Sequence, residues 1–192
     1  MLVNQQKTHI VVSKLPRNED YLTNYDGYVV TTEHFDLANP VTKVDDIPDY
    51  EMYSQTIDSL NKRFGNRVLK GIEIGYIASE KDRIIDYLAD KDYDLKLLSV
   101  HHNGQFDYLD DEVKDMDPAI VIPQYFAQLS EALVVIEADV FAHFDYSFRV
   151  FGLSVAEFKQ YEAQFLPILD QVIKNKLAFE LNAKSAYLYD NL

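Results

Sequence analysis

The histidines of this chain are few, and each lies beside a short apolar run. The 192 residues include five histidines and no cysteine, so a metal site would have to use His, Asp and Glu side chains. The segment LLSVHHNGQFD places His101 and His102 directly after an apolar run. The other three are His9, His34 and His143, in HIVVS, VVTTEHFD and VFAHFDY. Neutral imidazoles combined with carboxylates suit Zn²⁺, Fe²⁺ or Mn²⁺.

A carboxylate inside an apolar run is the second indication of a metal site. Glu73 lies in the middle of GIEIGY, and a buried carboxylate is costly unless it is paired or coordinates a metal. A cluster of such ligands can lower the pKa of a bound water and stabilise phosphoryl oxygens during in-line attack. Other polar residues near the ends of apolar runs are Ser13, Glu33, Asp36, Ser99, Asp145, Glu180, Asn182 and Ser185. No GxSxG turn supports a serine nucleophile.

Short predicted strands alternate with predicted helices along the chain. The strands are expected at 9–13, 28–32, 68–74, 94–100, 139–143 and 177–182. The helices are expected at 50–64, 79–90, about 118–136 and 154–174. Ser79 is the expected N-cap of the second helix, and Pro123 and Pro167 are expected to kink or divide the last two.

This alternation indicates an α/β fold with a mostly parallel sheet, and it fits an open sheet and a closed barrel equally well. In both architectures the carboxyl ends of the strands converge on one face. Histidines far apart in sequence are therefore expected to share one pocket.

Composition limits the class of protein. Six glycines and six prolines leave no flexible linker, so we expect one domain over residues 1–192. A net charge of −14 argues against nucleic acid as a partner, because such binding depends on Lys and Arg. The apolar runs are too short for a membrane span, and the N-terminal segment does not resemble a secretory signal. A cytoplasmic location is therefore expected.

Five segments in order, TTEHFD, GIEIGY, SVHH, AHFDY and ELNAKS, resemble successive motifs of the polymerase-and-histidinol-phosphatase (PHP) metal-dependent phosphoesterases. They are most similar to the histidinol-phosphatase branch, and the resemblance covers nearly the whole chain. It implies a distorted TIM-like (β/α)7 barrel with a metal cluster at the carboxyl ends of the strands. That cluster would contain one to three Zn, Mn or Fe ions per chain.

The resemblance also implies roles for individual residues. Metal ligation is expected from His9, His34, Glu73, His101 and His143, with Glu73, His101 and His143 forming the catalytic centre. Substrate binding is expected from Ser13, His102, Arg149 and Asn182. His102 would lie behind the metal ligands or face the substrate. Arg149 would bind the phosphate group of the substrate, and the alternative for this residue is a surface ion pair.

Two departures from the family pattern matter. The family opens with HxHxxxS, whereas KTHIVVS has Lys7 at the first histidine position and keeps His9 and Ser13. In the alternative register, His9 is the first histidine and Val11 replaces the second. No Asp-x-His pair follows the ELN segment, so the barrel is expected to lack its last strand. The exposed sheet edge could then be covered by a second copy of the chain.

The expected function is that of a metal-dependent phosphomonoesterase acting on a small phosphorylated metabolite. Its expected substrate is L-histidinol phosphate, an intermediate of histidine biosynthesis, hydrolysed by attack of metal-bound hydroxide on phosphorus. The alternative is a catalytically impaired or inactive homologue that retains partial metal binding. A domain that only binds phosphorylated ligands or another protein is a third hypothesis.

Overall fold

In the part of the chain that the structure describes, six parallel strands form one sheet, in the order in which they occur along the chain. The structure, a computed structural model, describes residues 9–13 and 22–180. The strands are β1 (His9–Ser13), β2 (Tyr28–Asp36), β3 (Val68–Gly75), β4 (Leu95–Ser99), β5 (Val140–Phe141) and β6 (Ala178–Phe179). Every neighbouring pair is parallel, which confirms the predicted sheet type. Within the described residues no pairing joins β1 to β6, so closure into a barrel stays a prediction.

Helices and 3-10 turns connect these strands. The helices are α1 (Tyr50–Phe64), α2 (Lys81–Leu88), α3 (Pro118–Val135), α4 (Val155–Phe158) and α5 (Glu162–Asn175). The 3-10 turns are Ala78–Glu80, Asp111–Asp115, Tyr146–Phe151 and Lys159–Tyr161. Helix α1 begins after Asp49, whose side chain accepts a hydrogen bond from the Met52 amide, and it ends at Gly65 with φ of +73°. A positive φ carries no side-chain penalty in glycine, which explains this stop.

Two details of the predicted helices were wrong. Ser79 does not cap α2, because it lies inside a 3-10 turn and Glu80 precedes the helix without a side-chain cap. The predicted helix at 154–174 is divided at Lys159–Tyr161, and Pro167 lies inside α5 without dividing it, so a kink at this proline stays a prediction. Pro123 likewise lies inside α3.

Helix α3 forms the centre of the larger apolar core. Among the described residues it is the one helix long and apolar enough to cross a membrane, judged by length and composition alone. By that criterion the expectation that every apolar segment is too short was wrong, because the few polar residues of this helix do not lower its mean hydropathy enough. Its buried side chains are Val121, Ile122, Tyr125, Phe126, Leu129, Ala132 and Leu133. They pack with residues of β3, β4 and α5 in one cluster, as in the core helix of a globular domain.

The register of the central strands sets the positions of the polar residues. His34 on β2 is paired with Glu73 on β3, and two residues further along Asp36 is paired with Gly75. Residues two apart on a strand point to the same face. His34 and Asp36 therefore share one face of β2, at the carboxyl end of the sheet.

Candidate metal centre

Glu73 is the centre of a group of three histidines. Its buried carboxylate has Oε1 3.1 Å from Nε2 of His101 and 2.8 Å from Nε2 of His143. Its Oε2 lies 3.8 Å from Nε2 of His34. One ligand atom each from His34, Glu73 and His101 lie within 4.8 Å of one another. The predicted gathering of these residues is what the structure shows.

Strand ends explain how residues so far apart in sequence meet. His34 comes from β2 and Glu73 from the paired position on β3. His101 follows β4 by two residues, and His143 follows β5 by two residues. Since neighbouring parallel strands end at the same edge, their carboxyl-terminal residues converge. His34 is partly exposed, so the group is open to solvent on that side.

Asp36 contacts the same histidines from the other side of their rings. Its Oδ1 lies 2.7 Å from Nδ1 of His101, and its Oδ2 lies 3.5 Å from Nδ1 of His34. The sequence had indicated Asp36 only as a polar residue near a strand end, without a role. Its position two residues after His34 was the available signal, because residues at that spacing share one face of a strand.

Electrostatics keep both carboxylates of this group ionised. Burial alone would raise the pKa of Glu73, but hydrogen bonds and charge from His101 and His143 hold that pKa well below its usual range. Burial would also raise the pKa of Asp36, and His101 and His34 lower it instead. Burial would lower the pKa of His101, but Asp36 and Glu73 raise it to about 10. Two buried negative charges thus face these imidazoles, and each imidazole would have to release a proton to solvent before its nitrogen could bind a metal ion.

One ring nitrogen of His143, Nδ1, is buried without a hydrogen-bond partner among the described residues. Nε2 of this histidine contacts Glu73, and its backbone amide donates to Oε2 of Glu180 at 2.7 Å. A buried polar atom without a partner is costly. Three imidazoles and two carboxylates are also the ligand types that Zn²⁺, Fe²⁺ and Mn²⁺ share, so the residues fit a divalent ion.

Comparison with protein families decides the identity of the domain. The profile of the PHP domain matches residues 17–184. The chain belongs to the PHP domain family. This confirms the resemblance that the five sequence motifs carried.

Individual relatives of this PHP domain are distant in sequence. This chain is 26% identical over 160 residues to a protein of Clostridium acetobutylicum named as a probable histidinol-phosphatase. The match covers 81% of this chain and 61% of that protein, so the chain spans about three fifths of the relative's length. A crystal structure from Lactococcus lactis, a histidinol phosphate phosphatase with zinc, L-histidinol and phosphate, superposes with a TM-score of 0.80. It is 20% identical, and the match covers 96% of this chain and 75% of that one, which confirms the fold.

Two predicted substrate ligands of the PHP domain contact other parts of the protein. Nδ1 of the buried His102 accepts a hydrogen bond from the Gly104 amide at 3.2 Å, and burial lowers the pKa of this histidine. Nε and Nη2 of the buried Arg149 donate to the two carboxylate oxygens of Asp145 at 2.9 and 2.8 Å. Both residues therefore have protein partners, and their roles in substrate binding stay predictions.

The remaining predicted site residues lie partly or wholly outside the described part of the chain. For His9 and Ser13 the backbone of β1 is described, but their side chains are not. Lys7 and Asn182 lie outside the described residues. Their roles as metal or substrate ligands stay predictions.

Tyr146 and Asp107 also adjoin the metal centre of this PHP domain, and sequence reasoning gave neither a role. The Tyr146 ring lies 5.1 Å from the His101 ring and 5.0 Å from the His143 ring, measured between centroids. Its hydroxyl donates to Oδ1 of Asp107 at 3.2 Å. The available signal was their place inside the quoted segments AHFDY and LLSVHHNGQFD.

Proposed function

We propose that this PHP domain is a metal-dependent phosphomonoesterase whose substrate is a small phosphorylated metabolite, with L-histidinol phosphate as the first candidate. The observation that carries the proposal is the buried Glu73 carboxylate in contact with the imidazoles of His34, His101 and His143. Its location at the carboxyl ends of parallel strands is where such folds bind ligands. The names of the two relatives support the choice of substrate.

Individual residues of the chain would have different roles in this reaction. His34, Glu73, His101 and His143 would hold the metal, with His9 as a further predicted ligand. A divalent ion bound there supplies Lewis-acid polarisation of a phosphoryl oxygen and activation of water at neutral pH. Glu73 would contribute negative charge for binding the ion, and Asp36 accepts a hydrogen bond from Nδ1–H of His101.

Arg149 remains the candidate for a phosphate ligand, because its planar fork suits phosphate oxygens. In the structure the guanidinium group is bound to Asp145. To contact phosphate, it would have to keep Asp145 and bind phosphate through its other N–H groups, or release Asp145. His102, Ser13 and Asn182 are the other candidates for substrate contacts.

A homo-oligomer is part of the proposal, in which a second copy of the chain covers the exposed edge of the sheet.

Metal removal tests the proposed activity. Protein purified without chelator is expected to contain one to three divalent ions per chain and to release phosphate from L-histidinol phosphate. A chelator should abolish this release, and separate additions of Zn²⁺, Mn²⁺ and Fe²⁺ should show which ion restores it. Because the ion binds the folded state, saturating metal at about 100 times its Kd should add about 2.7 kcal/mol of stability. Elemental analysis, phosphate release and thermal melts measure the three effects.

The substrate is tested by comparing L-histidinol phosphate with a panel of other small phosphomonoesters at equal concentration. A preference for L-histidinol phosphate in kcat/KM supports the specific assignment, and a preference for another ester replaces it. A folded, metal-loaded sample that hydrolyses none of the panel contradicts the proposed activity. That result would favour the inactive metal-binding homologue instead.

A further inference from the structure

Asp36 and Glu73 hold the same two histidine rings from opposite sides. Asp36 is buried at the end of β2, with its oxygens 2.7 Å from Nδ1 of His101 and 3.5 Å from Nδ1 of His34. The opposite ring atoms face Glu73, with Nε2 of His101 at 3.1 Å and Nε2 of His34 at 3.8 Å. Each ring therefore has Nδ1 towards one carboxylate and Nε2 towards the other.

This arrangement determines which nitrogen is available to a metal. An ionised carboxylate only accepts hydrogen bonds, so the proton of the short contact with Asp36 belongs to Nδ1 of His101. In a neutral ring the lone pair is then on Nε2, the atom that faces Glu73. Metal-binding histidines commonly donate their second nitrogen to a carboxylate, which fixes the orientation of the ring.

Gly75 gives independent support, because it leaves the space that this contact occupies. It is the residue paired with Asp36 across β2 and β3. A Cβ atom at Gly75 would lie 1.8 Å from Oδ1 of Asp36 and 3.1 Å from Nδ1 of His101. The backbone at Gly75 is not in the positive-φ region, so its conformation does not require glycine. Glycine inside a strand marks a place where another group approaches closely.

We propose that Asp36 is a positioning residue for the metal centre, and that the absence of a Cβ atom at Gly75 leaves the space that the Asp36 carboxylate occupies. Asp36 holds the rings of His34 and His101 by Nδ1, so that Nε2 of each is presented to an ion beside Glu73. This inference rests on the metal binding of the proposed function and does not depend on its substrate.

Metal affinity without substrate is the measurement that tests the inference. Asp36→Ala removes the contact, Asp36→Asn keeps an acceptor oxygen without the charge, and Gly75→Ala fills the space. Zn²⁺ affinity, measured by competition with a coloured chelator, is expected to fall about 10- to 100-fold in Asp36→Ala. The Zn²⁺ affinity of Gly75→Ala should fall by a similar factor, and that of Asp36→Asn should fall by less. The visible spectrum of the Co²⁺-loaded variants should change with the altered ring orientation.

Asp94→Asn is the matched control. Asp94 accepts a hydrogen bond from the Lys70 amide at 2.7 Å, at the amino end of the same sheet. Its variant is expected to bind Zn²⁺ and Co²⁺ as the unaltered protein does. Circular dichroism of the metal-free proteins establishes which variants are folded, and the Asp36 variants decide the question if Gly75→Ala does not fold.

Two results would overturn the inference. One is an Asp36→Ala protein with unchanged Zn²⁺ affinity and an unchanged Co²⁺ spectrum, and the other is an unaltered protein that binds neither ion. Unaltered protein that binds Zn²⁺ but releases no phosphate contradicts only the proposed activity. The comparison of affinities would still decide the role of Asp36 in that case.

Discussion

Glu73→Gln is expected to lose metal binding and to lower phosphate release by about 10³-fold or more. Glutamine keeps the size of the side chain but removes the negative charge that contacts three imidazoles. A metal contributes several kcal/mol to stabilising charge in the transition state, and each 1.36 kcal/mol corresponds to about a factor of ten in rate. Elemental analysis and the initial rate of phosphate release, both at equal protein concentration, measure the two losses.

The control for this change is Glu80→Gln. Glu80 forms a salt bridge with Arg83 at 2.6 Å, and exposed pairs of this kind contribute little to stability. Its variant should keep the metal content and the rate of the unaltered protein. If Glu73→Gln retained full metal content and rate, Glu73 could not be the residue that holds the ion.

The sequence was sufficient to predict that four residues of the described part meet. His34, Glu73, His101 and His143 were assigned to strand ends, and a parallel sheet brings such ends together whatever the details of the loops. The register that pairs His34 with Glu73 then places them on neighbouring strands at the same level. Proximity of this kind depends on topology, which periodicity indicates well.

The orientation of side chains could not be predicted in the same way. Asp36 was visible as a polar residue, but which ring nitrogens it contacts depends on side-chain rotation and on the space left by Gly75. For Arg149 the sequence left two interpretations open, a phosphate ligand and an ion pair. The structure shows a partner four residues earlier, at Asp145, a spacing at which opposite charges meet within helical turns.

The errors in element boundaries have a similar origin. β5 contains two residues, whereas five were predicted, because an apolar run does not mark the extent of strand pairing. β6 contains Ala178 and Phe179 of the predicted 177–182, and residues 181 and 182 lie outside the described residues. Ser79 is a good capping residue by type, but a 3-10 turn begins before it and the cap position passes to Glu80. Local preference is a weak guide where such turns precede a helix.

Phe126→Ala is expected to lower the free energy of unfolding by about 3–5 kcal/mol, the usual cost of removing a buried aromatic ring. Phe126 is 2% exposed on α3, at the centre of an aromatic cluster. Its ring is stacked on Phe144 at 5.5 Å, and other aromatic neighbours are Tyr125, Phe148, Tyr161 and Phe165. Urea unfolding of the metal-free protein measures the loss without a contribution from bound metal.

Val134→Ala on the same helix provides the matched control, because Val134 is 76% exposed and its truncation should change stability by no more than about 0.5 kcal/mol. The cluster also bears on the metal centre, since Phe144 directly follows His143 in the chain. A cavity at Phe126 would free Phe144 to move, so metal affinity should fall together with stability. A loss of stability below about 1 kcal/mol would instead mean that the neighbouring rings close the cavity, and then His143 should keep its contact with Glu73.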